Sequence, residues 1–95
     1  MKPQTAQDEN DLKSTWSVRG VQDLSLNHNY PSAMKVVYIE HWGKETVEAN
    51  IQGQTWLDLY KSADKCITDS GDKHHVFIED FVPLENGRLE LITGS

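Results

Sequence analysis

The chain is 95 residues long, 37% hydrophobic and 25% charged, with a formal net charge of −6 and a single cysteine. That length holds one hydrophobic core and excludes a second. No apolar run reaches the roughly 18 residues of a membrane helix, and the first residues lack the apolar stretch of a secretory signal, so no membrane association is expected.

The charge is uneven. From Asp69 onward six acids stand against Lys73 and Arg88, and this stretch holds −4 of the −6. Binding a phosphate backbone draws on clustered Lys and Arg; none is present, so direct nucleic-acid binding is not expected. An acidic balance serves solubility. It also suits a basic protein partner, or competition for a nucleic-acid-binding site by charge mimicry. Cys66 has no partner for an internal disulfide, which fits a reducing compartment and makes the cytoplasm the expected location.

Residues 1–13 are polar and read as a flexible tail, leaving 14–95 as a single α+β domain. Thr15 to Arg19 alternates like a strand, Gly20 interrupts, and Val21 to Leu26 resumes with Leu24 and Leu26 in phase; a glycine there predicts a bulge or bend. Asn27 to Ser32 is a loop by its turn residues. Met34 to Trp42 is a strand, Gly43-Lys44 a turn, and Thr46 to Gln52 the return. Val36, Tyr38 and Trp42 then share a face with Val47, Ala49 and Ile51.

Thr55 followed by Asp58 predicts a capped helix start. Trp56, Leu59, Tyr60, Ala63, Cys66 and Ile67 recur at three- and four-residue steps, which places them on one stripe. Ser70-Gly71 is the stop. The last segment, Val76 to Ile92, carries two apolar runs that meet at Asn86-Gly87, the residues best suited to a two-residue type I′ hairpin. That loop pairs Glu85 with Arg88, Leu84 with Leu89 and Val82 with Leu91, turning Val76, Ile78, Val82, Leu84, Leu89 and Leu91 inward. Pro83 lacks an N–H and belongs at an edge or a bulge.

The expected fold is therefore α+β in two layers: a mostly antiparallel five-stranded sheet, in chain order β-β-β-α-β-β, with one amphipathic helix packed on one face. One helix covers one face only. The opposite parity carries Val37, Ile39, Phe77, Phe81 and Ile92, which together would form an apolar contact surface. The competing expectation is that a bulge near Asp80, where that acid breaks the apolar parity, turns Phe77 inward, or that the N-terminal segment folds across this face.

Residues able to do chemistry are few. His74 and His75 are adjacent, so on a strand they point to opposite faces and cannot chelate one metal. With His41 and Cys66 they are the candidate ligand or metal residues, but no paired zinc-type spacing joins them. Cys66 sits on the helix's apolar stripe, where a thiol is inert unless a base and a positive setting adjoin it. Glu40, Glu79 and Asp80 are the acids available for paired acid–base work. Asp69-Ser70-Gly71-Asp72 begins like a calcium loop without completing it. Neither catalytic residues nor a metal or cofactor is implied. Trp42 and Trp56 read as core, while Trp16 suits a core or a partner surface equally. The expected function is a non-enzymatic binding or regulatory module, acting on a protein partner or a second copy of itself. The alternative is a small enzyme or ligand binder built on His41, Cys66, His74 and His75.

Overall fold

In the computed structural model the described residues are 12–39, 46–71 and 77–94. They form strands β1 (Thr15–Trp16), β2 (Lys35–Ile39), β3 (Thr46–Asn50), β4 (Phe77–Pro83) and β5 (Arg88–Gly94), with helix α1 (Trp56–Ser70) between β3 and β4. The strands make one sheet in the order β1-β4-β5-β2-β3, and α1 lies against β2 and β3. The α+β expectation holds. Trp42 and the predicted turn at Gly43-Lys44 lie outside the described residues.

The sheet is mixed rather than mostly antiparallel. Hairpin partners β2/β3 and β4/β5 are antiparallel, whereas β1/β4 and β2/β5 are parallel. The reason is connectivity. Local turns fix only strands adjacent in sequence, and α1 carries the chain from edge strand β3 to β4 near the far side. β5 then turns back into the space between β4 and β2.

Helix α1 forms as its sequence dictates. The Thr55 hydroxyl accepts from the Asp58 N–H at 3.2 Å, and the Asp58 carboxylate accepts from the Thr55 N–H at 3.0 Å, a reciprocal capping box. Gly53 lies behind it, at φ +135°, with the Asp58 carboxylate in the space a Cβ would need. Gly71 ends the helix in the left-handed conformation. The predicted strand at Val21 to Leu26 is instead irregular chain laid against the start of α1. The Leu24 and Leu26 carbonyls accept from the Leu57 and Trp56 N–H groups, both at 2.9 Å, which uses two of the donors every helix start leaves over.

The last hairpin differs from its predicted register by one residue. Asn86 and Gly87 do take positive φ, but Glu85 joins them in a 3-10 turn. The loop therefore has three residues, closed by Leu84 N–H to Arg88 carbonyl at 2.8 Å. Phe81 now faces Leu91, and Pro83 faces Leu89. A one-residue slip exchanges the faces of a strand, so Val82 points out and Phe81 points in. A bulge between Ile78 and Asp80 keeps Ile78 inward as well. Pro83 fits because β1 pairs only with Phe77 and Ile78, leaving the rest of β4 an edge.

The core lies between α1 and the sheet. Trp16 is at its centre, with ring centroids 5.2 Å from Tyr60 and 6.0 Å from both Trp56 and Phe81. Val36, Tyr38, Leu89 and Leu91 floor it. The segment read as a tail does not extend to residue 13: Leu12 packs against this core, and Lys13 and Ser14 are tied to α1. Asp64, buried, accepts from the Lys13 N–H at 2.8 Å and from both the Ser14 N–H and hydroxyl at 2.7 Å.

Two consequences are measurable by urea denaturation. Phe81→Ala should destabilise by about 3–5 kcal/mol and Val82→Ala by less than about 1 kcal/mol; the two-residue hairpin would reverse that order. Asp64→Ala strands three donors, two of them on buried Ser14, and should lower stability by about 2–3 kcal/mol.

Candidate functional site

The sheet face opposite α1 is built from alternate residues of four strands. Pairing puts Val37 beside Glu48 and Glu90, Val82 beside Glu90, Asp80 beside Ile92, and Phe77 beside Gly94. Ile39 and Ile92 border one shallow hollow. No described helix or strand packs on this face. Ile39 is 49% exposed, Val82 42% and Phe77 38%, and Ile92, beside the same hollow as Ile39, is partly exposed.

Its surround is charged. Lys35 and Glu48 form an exposed ion pair at 3.6 Å. Glu90 and Asp80 point to the same side, and the Glu79 carboxylate lies over Gly94. Acids thus outnumber the bases Lys35 and Arg88 around the apolar residues.

Four of the five residues predicted for this surface are on it. Ile39, Phe77 and Ile92 are open to solvent in part, whereas Val37, at 1% exposure, shares their side of the sheet but is not accessible to a partner. Phe81 is not on it: at 3% exposure it belongs to the core, because the loop length and the bulge both act on its parity. Val82 takes the outward place instead. Trp16 is core and offers nothing to a partner.

Of the ligand candidates, Cys66 is among the described residues. Cys66 is buried, its Sγ 3.5 Å from the Val36 carbonyl oxygen and 3.8 Å from that of Val47. Burial pushes its thiol up to about 12, and the Asp69 carboxylate adds to the shift. It is a packed thiol, not a nucleophile. His41, His74 and His75 lie outside the described residues. Among those described, no group of three His, Cys, Asp or Glu side chains could hold a metal.

Sequence reasoning missed His28. Its Nδ1 accepts from the Tyr30 N–H at 3.1 Å, its ring stacks on Tyr30 and meets Trp56 edge-on, and its buried Nε2 has no hydrogen bond. A histidine in a turn-rich loop carries no periodicity that would reveal this. Burial holds its pKa below the ordinary 6.5, with the Asp58 carboxylate pulling the other way.

Comparison with known protein families, with curated proteins and with solved structures returned no match.

The His28 environment gives stability a pH dependence. Since its folded pKa lies below 6.5, the unfolded chain binds the proton more readily; the stabilising contribution is complete above that value and is lost as pH falls through the folded pKa. The urea midpoint of the natural chain should therefore fall on acidification through this window. His28→Asn should show a shallower fall, and identical slopes would rule the site out as the cause.

Proposed function

We propose that this protein is a non-enzymatic binding module that acts by protein–protein contact through the outer sheet face. The observation that carries the reading is the exposure of Ile39, Phe77 and Val82 on a face that no described element covers. Burying such residues against a partner supplies roughly 25 cal/mol per Å² of apolar area. The acidic surround favours a partner with basic residues around an apolar centre. A free, buried Cys66 suits action in a reducing compartment, and the cytoplasm is the location this reading assigns. No helix among the described residues is long and apolar enough to cross a membrane.

The test is Ile39→Ser combined with Phe77→Ser. Both side chains are partly in solvent, so each change should alter stability by less than about 1 kcal/mol, checked by circular dichroism and urea denaturation. A partner captured by the natural chain should be identified, purified and shown to bind the double variant at least about tenfold more weakly. Self-association lost in the same variant would make the partner a second copy. Equal binding by both chains would remove the outer face from the function.

A further inference from the structure

A second surface lies at the β3 edge, and it differs from the outer face in chemistry. The Ile51 N–H donates to the Met34 carbonyl at 2.8 Å, which fixes the hydrogen-bonded pairs of the β2/β3 ladder. Antiparallel pairs alternate, so Val47 and Ala49 direct their peptide groups toward β2. Thr46, Glu48 and Asn50 direct theirs toward the open edge. Two side chains of α1 agree with this phase. Cys66 reaches the Val36 and Val47 carbonyls between β2 and β3, while the Ser62 hydroxyl donates to the Asn50 carbonyl at 2.9 Å from the outer side. β3 contains no proline and no bulge, so of the usual means of blunting an edge it has only its five-residue length and the charge of Glu48.

Alongside this edge runs a groove between β3 and α1. It has a volume of about 280 Å³ and is lined by Asn50 and Gln52 from the strand side and by Asp58, Lys61, Ser62 and Lys65 from the helix. Asp58 is committed to the capping box, and Lys65 bonds Asp69 at 3.0 Å. Lys61 has no ion pair among the described residues, so the groove offers a free cation in a chain whose net charge is −6.

We propose that the β3 edge binds an extended acidic peptide segment by strand addition, with alternate carboxylates of that segment reaching Lys61 and, in exchange for Asp69, Lys65 across the groove. Main-chain hydrogen bonds to Thr46 and Glu48 supply the docking, and the alternation of a strand sends every second side chain to the helix side. The remaining side chains emerge beside Thr46 and Glu48, where a small β-branched residue fits and a second acid is repelled. This goes beyond the outer-face reading and does not depend on it.

The probe is a blocked peptide of about eight residues alternating Glu and Thr, long enough to match an ordinary strand, titrated into the labelled full chain by NMR at low salt. Amide shifts are expected at Thr46, Glu48 and Asn50, and at Lys61 and Lys65. Lys61→Ala with Lys65→Ala should weaken binding about fivefold, two exposed ion pairs being at stake. Replacing each Glu of the peptide by Gln should do the same without altering the protein, which keeps the test independent of the variant's folding. Added salt should weaken the complex. Absence of shifts along β3 at millimolar peptide would overturn the proposal, as would equal affinity for the Glu and Gln peptides. Shifts confined to Ile39, Phe77 and Ile92 would also overturn it, while leaving the outer face as the binding surface.

Discussion

Ile78 and Phe81 lie three positions apart in β4, so a regular strand would send them to opposite sides of the sheet. The bulge between Ile78 and Asp80 turns both toward α1. Without it one of them would leave the core: either Ile78 would vacate the floor beneath the helix, or Phe81 would lose its contact with Trp16. The same extra residue shapes the outer face. It sends Asp80 outward beside Ile92 and, together with the three-residue loop, brings Val82 out beside Glu90. Core and candidate surface are thus two sides of one backbone irregularity, and neither can change register alone.

A second constraint holds the N-terminal side in place. β1 has only two residues and pairs in parallel with β4, a ladder too short to be stable alone. Polar groups supply what the ladder lacks. Asp64 gathers the Lys13 and Ser14 donors, and the Tyr60 hydroxyl donates to the Ser14 carbonyl. This anchoring and the short ladder together hold Trp16 in the core. Buried polar groups are expensive unless bonded, and the three donors from Lys13 and Ser14 make the buried Asp64 carboxylate compatible with a tight core here.

The sequence was most readable where a local rule acts without competition. Thr55, Asp58 and Gly71 mark both ends of α1, and the helical stripe from Trp56 to Ile67 names its buried side. The parity of Val36 and Tyr38 against Ala49 and Val47 also follows from alternation alone. Legibility ended where two local rules met. Asn86-Gly87 specifies positive φ, and the chain obeys, but the pair does not specify whether Glu85 belongs to the strand or the turn. One residue of loop length moves Phe81 from the surface to the core. The parallel pairings, the Asp64 anchor and the buried His28 depend on residues far apart in sequence. No periodicity encodes them.

The two candidate surfaces obey different physics, and this bears on how the molecule could use both. On the reading proposed above, the outer face would bind by removing apolar area from water, a term that is non-directional and little affected by salt. The β3 edge would bind through backbone groups whose spacing fixes direction and register, with lysines that add a salt-sensitive preference. They meet at β3. Glu48 has its peptide group on the open edge and its side chain on the outer face, where it pairs with Lys35 at 3.6 Å. A strand added at the edge would extend the sheet beside Glu48 and widen the outer face by one row. Occupation of one surface would therefore alter the boundary of the other through a shared residue, and cooperation between the two proposed surfaces would need no movement of the core.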